Sequence, residues 1–197
     1  MQTEVMLTGI GGQGIQLCAK TLAIGATDEG RQAMLSAHYG GEMRGGQTEA
    51  SVVVGDGPLR ALPILPSTWS AFVMHPKYWE PVRARLRPDG VVVANGTLVD
   101  DDLAADGRRV VAVAASDIAA ELQAPMSAGL VLLGAYSAVT GLVGLEALVA
   151  AMKRLVPPYR TQHIVANEAA LRAGFDAAPA LAAPAWSTSA TATATAP

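Results

Sequence analysis

Cysteine is almost absent: Cys18 is the only one in 197 residues. An intramolecular disulfide is therefore impossible, which suits a reducing, cytoplasmic setting. An iron–sulfur cluster, which needs about four thiolate ligands, is excluded from this chain as well. Histidine is scarce too, and His38, His75 and His163 stand too far apart to match a zinc-ligand spacing. Any metal or cluster in this protein's chemistry is expected on another polypeptide. A basic excess is also missing, with 14 Lys and Arg against 17 Asp and Glu, a formal net charge of −3. Nucleic-acid binders neutralise phosphates with surplus cations, so nucleic acid is not an expected partner. The start, "MQTEVMLTGI", lacks the basic segment and long apolar run of a signal peptide.

One apolar stretch requires a membrane test. From Met126 to Leu145, "MSAGLVLLGAYSAVTGLVGL" contains no charge and is long enough to span a bilayer. It carries Ser127, Ser137, Thr140 and four glycines, and no Lys/Arg cluster flanks it. Gly141 and Gly144 read as a helix end, and the segment is expected to be a buried or interface helix. With 51% hydrophobic residues the chain can bury one substantial core, so a single α/β-sized domain is the default.

The order of elements is regular. A strand over Val5–Thr8 feeds a glycine turn and a helix from about Gly12 to Glu29, with Gly30 as its stop. "RQAMLSA" and "TEASVVVG" read as strands on either side of a polar, glycine-dense loop. Asp56-Gly57 marks a turn, and "GDG" at Gly55–Gly57 reads as a hairpin turn. A strand, loop and helix fill the region from Thr68, followed by a Pro88-Asp89-Gly90 turn and the strand "VVVAN". "RRVVAVAA" is a further strand and "SDIAAELQ" a helix. The apolar helix comes next, then one from Gly144 to Leu155, stopped by Pro157-Pro158. The last begins near Asn167, a candidate cap. Strands alternating with helices predict an α/β fold, a Rossmann-like open, mainly parallel sheet with helices on both faces. The domain is expected over residues 1–176. From Ala177 to Pro197 the composition turns to Ala, Pro, Ser and Thr. That tail is expected to be disordered in isolation and to order on a partner, with Trp186 as anchor.

"TGIGGQG" raises the functional question. Gly9 permits a tight turn, Gly11 allows a phosphate to approach the backbone, and Gly14 lets helix and strand pack closely. Free N–H groups at the helix start then face an anion. A dinucleotide reader also needs an acid about twenty residues further on, at the end of the second strand. That count from Gly14 lands near Met34. Asp28 and Glu29 come too early and Glu42 too late, so ordinary NAD binding is disfavoured. An anion-binding turn and a purely packing turn both remain open. Gly12 and Gln13 add a second adjacent glycine and a side chain able to donate and accept, expected to point at a ligand or partner.

The second loop is more specific. In "YGGEMRGGQTEASV", Glu42 and Arg44 sit between Gly40-Gly41 and Gly45-Gly46. Arg44 can bond a carboxylate or phosphate in bidentate fashion, Glu42 can orient it, and Tyr39 offers a flat face with a hydroxyl. In an open sheet this loop belongs at the carboxyl edge, beside the first turn, so both would line one crevice. Elsewhere, Cys18 reads as a small buried residue without a nearby base. His38 reads as a surface-loop residue, His75 as the edge of a crevice, and Lys77, Tyr78 and Trp79 as surface or interface residues.

"GIGGQG" at Gly9–Gly14, "YGGEMRGG" at Tyr39–Gly46 and "NEAALRAGFDAA" from Asn167, in that order, resemble the gamma subunit of the 2-oxoacid:acceptor oxidoreductases. That family includes the pyruvate, 2-oxoglutarate, 2-ketoisovalerate, indolepyruvate and phenylglyoxylate enzymes. The likeness runs over roughly residues 3–176, and the Ala/Thr tail departs from it. It implies a hetero-oligomer that oxidatively decarboxylates a 2-oxoacid and transfers the acyl group to coenzyme A. Thiamine diphosphate with Mg and the 4Fe-4S clusters would be carried by partners: thiamine-diphosphate-binding alpha/beta chains and a ferredoxin-like delta chain. The gamma chain itself would hold no catalytic residue. "GDG" imitates the start of a thiamine-diphosphate motif, but the next asparagine, Asn95, is single and too distant. The expected binding residues, for coenzyme A or for a partner subunit, are Gly9, Gly11, Gly12, Gln13, Gly14, Tyr39, Glu42, Arg44, Gly45 and Gly46. A free-standing NAD-dependent dehydrogenase and a ligand-free assembly module are the alternatives.

Overall fold

The computed structural model describes residues 1–39, 45–59, 64–99 and 108–186. β1 (Gln2–Ile10) lies in the middle of a six-stranded sheet because its side chains are apolar on both faces: Val5 and Leu7 point to one core, Met6 to the other. The remaining strands are β2 (Gln32–Tyr39), β3 (Gln47–Gly55), β4 (Thr68–Val73), β5 (Leu86–Asn95) and β6 (Arg109–Val113), in the order β2-β3-β1-β4-β5-β6. The β1–β4, β4–β5 and β5–β6 pairs are parallel, whereas β3 runs antiparallel to both β1 and β2. The sheet is open and mainly parallel, as the alternation of elements predicts, with β3 reversed.

That reversal relocates two turns. The β2–β3 connection is the hairpin, and it contains the second glycine loop. "GDG" is not a hairpin: the next strand, β4, pairs with β1 on its far side. Asp56 instead closes the amino-terminal edge, where it accepts from the Met1 amine at 3.5 Å and pairs with Arg31 at 3.7 Å. Pro88-Asp89-Gly90 is likewise no turn between elements but an irregularity inside β5, where the register against β4 shifts between Thr68 and Ser70. A Cβ on Gly90 would stand 2.6 Å from the Trp69 carbonyl, so the strands close up there only around glycine.

Helices cover both faces unequally. α1 (Ile15–Asp28), α3 (Ala115–Glu121), α4 (Ala128–Thr140), α5 (Leu145–Leu155) and α6 (Ile164–Asp176) belong to the larger core. The opposite face holds the short α2 (Glu80–Arg83) after a single 3-10 turn at Pro76–Tyr78, and is sealed by Leu65, Trp79, Val82 and Leu86. Trp79 is buried there, not on the surface. His75 closes this turn by accepting the Lys77 N–H on Nδ1 at 3.1 Å, so its ring is a local cap.

The charge-free segment after Pro125 becomes α4, in which every residue from Ala128 to Thr140 is buried. A helix apolar all round belongs in the centre of a domain, and its Tyr136 hydroxyl meets Ser70 Oγ at 2.8 Å under the sheet. No helix among the described residues is long and apolar enough to cross a membrane. α6 begins at Ile164, three residues before the cap that Asn167 suggests. The tail is not a separate feature at its start. Residues 181–186 run along the end of α4, with Ala183 and Ala185 in the core. Trp186 is an anchor, but to its own chain: it stacks 4.2 Å from the Arg31 guanidinium and donates to the Leu142 carbonyl. Residues 187–197 lie outside the described part.

Cys18 faces this core with no exposed surface, and burial pushes its thiol from 9.0 up to about 12. Its stabilising effect is therefore complete below the ordinary thiol value and is lost as pH rises from about 9 toward 12. Native protein at neutral pH is expected to leave an aromatic-disulfide thiol reagent unreacted, with stoichiometric reaction after unfolding in urea. Fast labelling of the folded chain would disprove the burial.

Candidate functional site

The glycine turn is held from both sides. The Gln13 N–H donates to the Ile10 carbonyl at 3.2 Å, and the Gln13 side-chain oxygen turns back to accept the Ile10 N–H at 2.9 Å. Gln13 thus braces the turn through Oε1 rather than offering that oxygen to solvent. This explains Gly9: a Cβ there would lie 2.7 Å from Gln13 Oε1 and 2.9 Å from Ile15 Cδ1. Gly12 and Gly14 have φ of 102° and 76°, left-handed values that strain any residue with a Cβ. Gly14 is the cap position of α1, which has no acid in its first turn and no side-chain cap.

The two glycine loops meet, as their shared sheet edge demands. The Gly11 N–H donates to the Gly46 carbonyl at 2.9 Å, and a Cβ on Gly11 would come within 3.2 Å of the Gly45 nitrogen. Gly11 therefore serves loop-to-loop contact, and its amide is occupied. The amides of Gly12 and Gly14 have no partner among the described residues. Gly45 is in the left-handed region at φ 69° and exposed. The side chain of Tyr39, and Glu42 and Arg44 altogether, lie outside the described residues.

Behind the turn, Gly129 brings α4 close: a Cβ there would stand 2.6 Å from the Gln13 carbonyl. The starts of α1, α4 and α6 consequently surround one cavity of about 430 Å³. Gly12, Gly14 and Leu17 form one wall, Met126 and Ser127 a second, Leu155 to Pro157 a third, and Arg160, His163 and Asn167 the last. No carboxylate lines it among the described residues, and none of α1, α4 and α6 has an acid in its first turn. By contrast α2, α3 and α5 carry Glu80, Asp117 and Glu146 there. The arrangement favours an anion with an apolar body.

A dinucleotide fits poorly. The strand beside β1 on the ribose side is β3, which starts at this edge, with Gln47 opposite Ile10. An acid at the carboxyl end of a parallel neighbour has no place in that geometry. Residues 4–177 match the pyruvate ferredoxin/flavodoxin oxidoreductase family. The chain belongs to that family.

Its relatives within the family are gamma or C subunits. The chain is 30% identical over 156 residues to pyruvate synthase subunit PorC of Methanothermobacter thermautotrophicus, covering 78% of this chain and 85% of that one. It is 28% identical over 165 residues to 2-oxoglutarate synthase subunit KorC of Methanocaldococcus jannaschii, covering 80% and 85%. The fold superposes on the keto/oxoacid ferredoxin oxidoreductase gamma subunit of Geobacter sulfurreducens with a TM-score of 0.75 at 26% identity, over 90% of this chain and 96% of that one. The 2-oxoglutarate:ferredoxin oxidoreductase of Magnetococcus marinus, solved with 2-oxoglutarate, coenzyme A and succinyl-CoA bound, contains the same fold in 31% of its chain, with a TM-score of 0.79 at 18% identity. The chain is a gamma-type subunit of a multi-subunit 2-oxoacid oxidoreductase.

In this gamma-type subunit the glycine turn and second loop are adjacent, as the sequence suggests, and of the expected residues that are described, Gly12 and Gly14 line the cavity. Ser127, Arg160, His163 and Asn167 are the additions. His38 lies apart: it lines a smaller cavity of about 160 Å³ on the other face with Glu49 and Arg85, which are 3.4 Å apart.

Proposed function

We propose that the chain is the gamma-type subunit of a complex that converts a 2-oxoacid and coenzyme A into acyl-CoA and carbon dioxide, passing two electrons to ferredoxin. Thiamine diphosphate, Mg and the 4Fe-4S clusters reside on partner chains, the alpha/beta and ferredoxin-like delta type. This chain's residues do not suit them: one buried cysteine is no cluster site, and Asp56 of "GDG" is tied to the amino terminus and Arg31. The proposed setting is the cytoplasm.

Coenzyme A is the group the residues here do suit. The carrying observation is the junction of the two glycine loops, where Gly11 bonds Gly46 and leaves the Gly12 and Gly14 amides at the start of α1 free for a phosphate. Arg44, with Glu42 and Tyr39 beside it in sequence, is assigned to the same anion, together with the Gly45 and Gly46 backbone. Bound there, coenzyme A supplies the thiol that accepts the acyl group; this chain binds and orients the phosphate end. In the assembled complex, Arg44→Ala is expected to raise the KM for coenzyme A about tenfold or more, with the KM for the 2-oxoacid little changed. Unchanged coenzyme A affinity with an intact complex would remove Arg44 from this role. Mass spectrometry of the chains co-purifying from the native source would show the partners directly.

A further inference from the structure

The two edges of the sheet differ. β6 has only five residues and opens on Arg109, whose guanidinium donates to the Ala182 carbonyl. β2 has eight residues and pairs only with β3 among the described residues. It holds no Lys, Arg, Pro or register shift, the devices that keep an edge from recruiting another strand. Ala33 to Ser36 are half-buried, whereas Val52, Val53 and Val54 on the neighbouring β3 are fully buried. The two faces of β2 also differ. Ala33, Leu35 and Ala37 stand opposite Val54, Val52 and Ala50 of the larger core. On the other face, Ser36 and His38 stand opposite Ser51 and Glu49.

We propose that residues 187–197 of the same chain add to β2 as a seventh strand, parallel to it, and shield this edge. The segment starts in the right place. Trp186 stacks 4.2 Å from the guanidinium of Arg31, the residue before β2, and both side chains donate to the Leu142 carbonyl. Its length also matches: at about 3.3 Å per residue β2 spans about 26 Å, and the segment reaches about 33 Å when extended. Its sequence alternates with the period of a strand, Ala190, Ala192, Ala194 and Ala196 against Ser189, Thr191, Thr193 and Thr195. With the alanines laid beside Ala33, Leu35 and Ala37, the hydroxyl residues fall beside Met34, Ser36 and His38. A slip of one residue would exchange the faces, so the polarity of β2 selects the register. Pro197 has no N–H and comes last, where no ladder bond is needed. A second copy of the chain would compete for the same edge, but a segment tethered at Trp186 acts at an effective concentration of about millimolar, above that of free chains.

The test is hydrogen exchange of the β2 amides, read by NMR, in the full chain and in one ending at Trp186, which keeps both cores. In the full chain the β2 amides that point away from β3 are expected to exchange at least about tenfold more slowly. Ala192→Asp places a charge on the apolar face and is expected to lose most of that protection. Thr193→Asp, on the polar face, is expected to keep the larger share of it. The shortened chain, with its edge open, is expected to aggregate faster in light scattering at equal concentration. Equal exchange in the two chains overturns the proposal, as does an equal effect of the two aspartates. Equal aggregation rates would overturn the shielding. Protection that disappears on dilution would make a second copy the occupant and would overturn it too. None of these measurements involves coenzyme A or Arg44, so this proposal and the proposed function fail separately.

Discussion

Replacing Gly174 with alanine is expected to prevent stable folding of the chain, and Gly134→Ala to come close to doing so. α4 and α6 cross with their backbones in contact. A Cβ on Gly174 would overlap the Val131 carbonyl of α4, and one on Gly134 would overlap the Leu171 carbonyl of α6. Neither obstacle is the movable end of a side chain. The helices must part, and α4 has no free side to retreat to, since all its residues are buried. Ordinary overpacking costs about 1–3 kcal/mol, and a backbone-to-backbone overlap belongs above that, at about 4 kcal/mol or more. Against a typical total stability of about 5–15 kcal/mol, such a loss leaves little folded protein at physiological temperature. Urea denaturation read by circular dichroism gives the size. Gly57→Ala is the control, because nothing lies within 4 Å of its would-be Cβ, and it should stay within about 0.5 kcal/mol of wild type. The double variant should cost less than the two losses combined, since parting the same helices once relieves both overlaps. Additive costs, or a mild Gly174→Ala, would mean the crossing is looser than this packing.

The same glycines show where the sequence was readable and where it was not. The motif from Asn167 pointed to the family, but nothing in its letters says that Gly174 exists for Val131, because a helix-crossing glycine looks like any helix glycine. The turn from Gly9 to Gly14 was legible, since positive φ at Gly12 and Gly14 is a local requirement that glycine alone meets easily. Its internal brace was not: Gln13 folding back on Ile10 depends on the Gly9 vacancy, a relation between two positions. The strand alternation of β3 was plain, but alternation is the same in either chain direction, so its reversal and the hairpin through the second loop were hidden. Asn167 reads in the sequence as the cap of the last helix, but the cap position is His163. Asn167 proved to sit inside the first turn of α6, bonded to Ser127 forty positions away in sequence, a pairing without local signature.

The tail misled for a related reason, and it carries the second large prediction. A chain ending at Ala180 is expected to lose about 3–5 kcal/mol relative to one ending at Trp186. The end of α4 leaves its last four carbonyls without helical partners, and this end is buried. The Gly141 N–H takes the Ser137 carbonyl, and the N–H groups of Leu181, Ala183 and Ala185 take those of Ala138, Val139 and Thr140 at 2.7–3.0 Å. Every second residue from Leu181 to Ala185 donates, and the donors are backbone groups that any residue but proline supplies. Composition therefore says nothing of the role. Each stranded buried carbonyl costs about 1–3 kcal/mol, reduced where water replaces the strap. Removal of Ala183, Ala185 and the Trp186–Arg31 stack adds the exposure of apolar surface. Ala183→Pro separates these parts: it deletes one donor, the one held by Val139, and should cost about 1–3 kcal/mol with the rest of the strap in place. Equal urea midpoints for the chains ending at Ala180 and Trp186 would show that the strap caps nothing.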